Sequence, residues 1–149
     1  MIRVLIVDDS ATTREAISAI LGSDPDIEVV GQATDGMEGV ELAAQLRPDV
    51  ITMDINMPRM NGNEATQQIM AFTPTPIVVV TTVTRQEMIR EGLDILLSGA
   101  LEIVQKPSAI AGQSFEAIQA ELVAKVKAVS HIKFVERPAA SEKPEPILV

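Results

Sequence analysis

Three aspartates, a threonine and a lysine stand just after short apolar runs rich in Val and Ile. Asp8 and Asp9 follow Arg3–Val7, and Asp54 follows Val50–Met53. Thr81 and Thr82 follow Ile77–Val80, while Lys106, with Pro107 behind it, comes one residue after Leu101–Val104. Carboxylates brought close together repel and need a counter-charge. With oxygen donors and neither His nor Cys among them, the fitting ion is a hard cation, Mg2+ above all. Lys106 is the only lysine within residues 1–124, where arginine supplies every other positive side chain. A compact ammonium on a flexible stem suits a phosphoryl or carboxylate partner inside a cleft. Taken singly, each residue has an ordinary reading: an aspartate after a strand caps a helix, Thr81 fills a strand, Lys106 is a solvated charge. Those readings do not explain why all of them fall at the same ends.

Whether these residues meet depends on the elements that carry them. Apolar runs without alternation suit strands buried on both faces, and a fifth such run is Ile27–Gly31. Between the runs lie segments with helical spacing. One carries Ile17, Ile20 and Leu21 behind Ser10, an expected N-cap. A second carries Met37, Val40 and Ala44 and stops before Arg47-Pro48; a third carries Ala65, Thr66 and Ile69 and ends near Thr73-Pro74. A fourth has Met88, Ile89, Leu93 and Leu96, closed by Ser98-Gly99. The last carries Phe115, Ile118, Leu122, Val126 and Val129, with Glu121 and Lys125 spaced for an i,i+4 ion pair. Strands alternating with helices predict an α/β fold, a (βα)5 unit whose five-stranded parallel sheet carries helices on both faces. Ligands of such sheets bind at the carboxyl ends of the strands, where the aspartates, Thr81 and Lys106 stand.

Composition narrows the functions available. The chain has 149 residues, of which 46% are hydrophobic, enough for one domain. A formal charge of -9 argues against tracking nucleic-acid phosphates or adsorbing to an anionic membrane. Without cysteine there are no disulfides, thiolate chemistry or cysteine metal sites. No apolar run approaches the roughly 18 residues of a membrane span. The start is too short for a signal peptide's apolar stretch, so a cytoplasmic location is expected. After residue 130 the composition shifts: residues 131–149 hold Pro138, Pro144 and Pro146, balanced charges and no apolar period. The expected organisation is a domain over residues 1–130 and a Pro-containing linker or tail over 131–149.

Four segments carry a specific resemblance: Leu5-Ile6-Val7-Asp8-Asp9-Ser10, Asp54-Ile55-Asn56-Met57-Pro58-Arg59-Met60-Asn61-Gly62, Thr81-Thr82 and Lys106-Pro107. Together they resemble the receiver domain of two-component response regulators, whose fold is flavodoxin-like. Within that family the chain is most similar to the receiver of chemotaxis protein-glutamate methylesterases. The resemblance implies that Asp54 accepts a phosphoryl group from a histidine kinase. It assigns Asp8, Asp9 and Asp54, with the backbone carbonyl of Asn56, to Mg2+. It gives Thr81 and Lys106 to the phosphoryl oxygens, and makes the bond before Pro107 cis. It also implies a signalling surface on the fourth helical segment, the fifth strand and the last helix. There, Ile103 stands where many receivers carry an aromatic that swings inward. Val83, two residues past Thr81, places an apolar group near the path of a hydrolytic water.

The expected function is a phosphorylation-activated switch in a two-component or chemotaxis pathway. A linked C-terminal effector domain or a downstream protein would read it. The chain by itself would transfer and lose only its own phosphoryl group, any esterase activity belonging to another domain. A stand-alone regulator is the alternative. A Mg2+-dependent aspartyl-phosphate phosphatase fits less well, since that class wants an acid two residues past the nucleophile, where Asn56 stands. A nucleotide binder fits poorly, because no Gly-rich loop follows the first strand.

Overall fold

The computed structural model describes residues 1–81, 86–87, 99–105 and 115–132. In them a five-stranded parallel sheet has the order β2-β1-β3-β4-β5, with β1 Ile2–Val7, β2 Ile27–Ala33, β3 Val50–Met53, β4 Ile77–Thr81 and β5 Glu102–Gln105. The described helices are α1 Ala11–Gly22, α2 Gly36–Leu46, α3 Gly62–Phe72 and α4 Phe115–Val129. The doubly wound α/β architecture expected from the sequence is therefore present. The helical segment expected around Met88–Leu96 lies outside the described residues, as do residues 133–149 of the tail. Among the described residues, no helix is long and apolar enough to cross a membrane.

Alternation along the central strands feeds two separate cores. Val4 and Ile6 pack with Ile17, Ile20 and Leu21 of α1 and Leu122, Val126 and Val129 of α4. Leu5 and Val7 pack on the opposite face with Ala43 of α2 and Ala65 and Ile69 of α3. Each fully buried Leu or Ile contributes about 1.5–3 kcal/mol relative to exposure. Burial on both faces thus explains the unbroken apolar runs of β1, β3 and β4, all of whose inner residues are buried.

Burial on both faces does not extend to β2. It is an edge strand, with Glu28 and Gln32 exposed and residues 29–31 half-buried. Its pairing slips between Val4 and Leu5, which face Val29 and Gly31 and leave Val30 as the extra residue of a bulge. The other edge, β5, begins one residue later than the apolar run suggested. In its neighbour α4, Lys125 makes the i,i+4 pair with Glu121 that the spacing foretold, at 3.0 Å. It also ties the helix to β5 by pairing with Glu102 at 3.5 Å and donating to the Ile103 carbonyl at 2.9 Å.

At the centre of β3, Thr52 is buried between Ile6 and Val78, and its hydroxyl has no hydrogen-bond partner among the described residues. A buried polar group left unsatisfied is destabilising, whereas valine has nearly the same shape and no such group. Thr52→Val is expected to raise stability by about 1 kcal/mol, read as a higher urea midpoint at unchanged slope. A lower midpoint would reveal that the hydroxyl has a partner.

Candidate functional site

The sheet order creates one place where connections diverge. From β1 the chain runs to β2 at one edge, then crosses back to β3 on the other side of β1. The crevice outside the carboxyl ends of β1 and β3 is the usual ligand site of such sheets. Asp8 follows β1 directly and Asp54 follows β3 directly. The backbone extends the sheet pairing to both, since the Asp8 N–H donates to the Ala33 carbonyl at 3.0 Å and the Asp54 N–H to the Val7 carbonyl at 2.9 Å. Carboxylate oxygens of Asp8, Asp9 and Asp54 come within 4.8 Å of one another. Asp8 and Asp54 are buried and Asp9 is exposed, so the cluster opens to solvent on the Asp9 side.

Local structure holds Asp8 and Asp54 in place. Asp8 Oδ1 accepts the Ser10 N–H at 2.9 Å, and Ser10 caps α1 as its sequence position foretold, accepting from the Thr13 N–H at 3.2 Å. Arg14 Nη1 donates to the Asp8 carbonyl at 2.7 Å, so the first turn of α1 grips the loop that presents the acid. Asp54 Oδ1 accepts the N–H of Ile55 at 2.8 Å, which fixes the rotation of the carboxylate. The donor set is all oxygen. Three carboxylates gathered within 4.8 Å, with no nitrogen or sulfur donor among them, suit a hard cation such as Mg2+.

Thr81, the last residue of β4, is buried at the same carboxyl edge and pairs in register with Gln105, the residue before Lys106. Lys106, Pro107, Thr82 and Val83 lie outside the described residues. Asn56 is exposed in the loop two residues beyond Asp54. Ile103 is half-buried and packs against the core on the α2 and α3 face.

Sequence reasoning missed the framework around the loop from Asp54 to α3. Gly62 opens α3 so close to β3 that a Cβ there would lie 2.0 Å from the Asp54 carbonyl oxygen. Its N–H donates to the Ile55 carbonyl at 2.7 Å. Gly36 makes the matching approach at the start of α2, where a Cβ would lie 2.1 Å from the Met60 carbonyl oxygen that its N–H bonds at 3.0 Å. Beside it, Asp35 caps α2 through Oδ1, which accepts the Glu38 N–H at 2.9 Å, while Oδ2 accepts from the Arg59 guanidinium. The Glu38 amide holds the Asp35 carboxyl below the usual carboxylate range, burial opposes this, and Arg59 adds to the lowering. An Asp35-Gly36 pair ahead of a helical segment is a readable cap signal. Its reach to Arg59, across 24 residues, is not readable.

Fold and site together define the class: a doubly wound α/β domain with a buried acidic pocket at its switch point. The chain belongs to the response regulator receiver domain family, whose model matches residues 4–114. It is 44% identical over 146 residues to a protein-glutamate methylesterase/protein-glutamine glutaminase of Syntrophus aciditrophicus, covering 98% of this chain and 41% of that protein. To one from Myxococcus xanthus it is 43% identical, with 98% and 41% covered. Among solved structures it is similar to the response regulator domain of Thermotoga maritima CheB, at 40% identity and a TM-score of 0.79, covering 89% of this chain and 98% of that one. The chain thus spans about two fifths of the length of the curated relatives it matches.

Proposed function

We propose that this chain is a phosphorylation-activated switch of a chemotaxis pathway, in which Asp54 accepts a phosphoryl group from a histidine kinase in the cytoplasm. The observation that carries the reading is the convergence of Asp8, Asp9 and Asp54 at the crevice between β1 and β3. In the transfer, an Asp54 carboxylate oxygen forms a bond to phosphorus. The bond from phosphorus to the donor's imidazole nitrogen breaks, and its electron pair stays with the imidazole. Mg2+, when bound by Asp8, Asp9, Asp54 and the Asn56 carbonyl, supplies the positive charge that lets an anion approach three carboxylates. Burial of Asp8 and Asp54 lowers the local dielectric and strengthens every charge interaction there.

In this reading Thr81, buried at the end of β4, turns its hydroxyl toward a phosphoryl oxygen, with the Lys106 ammonium as the expected second donor. The added charge biases a two-state equilibrium that a partner reads. The partner we favour is an effector domain in a longer protein, a methylesterase such as the relatives' names describe, joined through a linker such as residues 131–149.

The test is labelling with acetyl phosphate, which replaces the imidazole with acetate as leaving group. The chain is expected to take one phosphoryl group in Mg2+, and Asp54→Asn to take none. Asp9→Ala is expected to weaken both metal binding and labelling. Labelling that persists in Asp54→Asn, or that ignores chelation of Mg2+, rejects the assignment.

A further inference from the structure

The loop that follows Asp54 is fastened at two places, and only one of them touches the acidic cluster. The inner fastening is Gly62, seated on the Asp54 carbonyl and bonded to Ile55. The outer one lies at the start of α2, where Asp35 accepts from both Nε and Nη2 of Arg59 on a single oxygen, and the Gly36 N–H donates to the Met60 carbonyl. Between them the Met60 N–H donates to the Pro58 carbonyl at 2.7 Å, closing a tight turn over residues 58–60.

Stability does not explain the choice of residue at 59. Arg59 has a φ of 65°, the left-handed region that glycine or asparagine occupies at less strain. Its side chain is 63% exposed, and ion pairs with an exposed partner return little stability. Asp35 would cap α2 without Arg59, through the separate oxygen that receives Glu38. Arginine here brings something else: a planar fork that reaches from the turn to a buried carboxylate and fixes the turn's position.

We infer that the Asp35–Arg59 pair is a positioning device for Mg2+ binding, holding the turn over residues 58–60 so that the preceding Asn56 carbonyl is directed at the ion held by Asp8, Asp9 and Asp54. This inference rests on the assignment of Asn56 as a metal ligand made above. Asp35 and Arg59 are positioning residues; neither touches the ion. A geometry that is set before binding lets the metal find its last protein oxygen without ordering the loop, and groups that orient ligands commonly change metal affinity by about tenfold or more.

The test measures the Mg2+ dissociation constant by calorimetry on the full chain, starting metal-free, alongside the thermal midpoint. Arg59→Gly removes the guanidinium and the backbone strain together, so its metal-free midpoint is expected to match or exceed the wild type. Its dissociation constant for Mg2+ is expected to rise about tenfold. Asp35→Asn keeps an oxygen for the Glu38 amide and loses the charge, and is expected to weaken Mg2+ to a similar degree. The double variant is expected to be no weaker than either single one, because each removes the same contact. Wild-type affinity in Arg59→Gly, or losses that add in the double variant, overturns the inference. Asp9→Ala separates this from the reading beneath it. If Asp9→Ala binds Mg2+ as the wild type does, the metal site itself is wrong; if it loses Mg2+ while Arg59→Gly does not, only the positioning role fails.

Discussion

Gly62→Ala is expected to destabilise the protein by about 3 kcal/mol, against the ordinary helical preference for alanine. Propensity alone favours Ala over Gly in a helix by up to about 1 kcal/mol. At this position the added methyl would stand 2.0 Å from the Asp54 carbonyl oxygen and 2.9 Å from both the Asp54 carbonyl carbon and the Ile55 Cα. All three obstacles are backbone of the site loop, so no side chain can rotate aside. Either α3 lifts from the sheet, opening the core around Ala65 and Ile69, or the backbone at Asp54 moves and takes the carboxylate with it. Both routes weaken Mg2+ binding as well as the fold. Gly22, at the end of α1, is the control: a Cβ there meets nothing within 4 Å, and Gly22→Ala is expected to be neutral or stabilising. Urea midpoints of the two variants decide the matter. A Gly62→Ala protein as stable as Gly22→Ala would mean that α3 does not sit against Asp54 as described.

The contrast between these glycines marks the limit of what the sequence discloses. The strands of the central sheet were legible because burial on two faces leaves unbroken Val and Ile runs, and Asp8, Asp9 and Asp54 were legible because they end such runs. The ends of α1 and α3 were legible from Ser10 and Thr73, as local cap chemistry. The edge character of β2 was legible only in part: Glu28 interrupts the apolar run of Ile27–Gly31, but only the strand order tells that one side of it is open. Gly36 and Gly62 look like ordinary loop glycines until two segments are brought together, and then each proves to be a backbone contact with the site loop. Arg59 is more hidden still. Nothing local pairs it with Asp35, because the contact depends on α2 and the β3–α3 loop meeting at the same edge of the sheet. Tertiary pairings of this kind carry no period and no spacing, so they escape any reading along the chain.

Asp54→Asn is expected to reverse its effect on stability when Mg2+ is added. Three carboxylates within 4.8 Å repel one another, and at an effective dielectric near 20 each pair at that distance carries about 3 kcal/mol of unfavourable energy before relaxation. Neighbouring donors such as the Ser10 and Ile55 amides offset part of this, as does any positive charge nearby. Asparagine preserves the shape of Asp54 and retains an oxygen to accept the Ile55 N–H, while removing one of the three charges. In chelator the variant is therefore expected to be more stable than the wild type by about 1 kcal/mol or more. With Mg2+ the balance inverts. A ligand at a hundred times its dissociation constant stabilises the protein that binds it by about 2.7 kcal/mol. The variant, which presents one fewer negative ligand, gains much less, so the wild type overtakes it. Paired urea titrations in chelator and in saturating Mg2+ measure both signs. A variant less stable than the wild type in chelator would show that the three carboxylates do not strain one another, and an equal gain from Mg2+ in both proteins would place the ion away from Asp54.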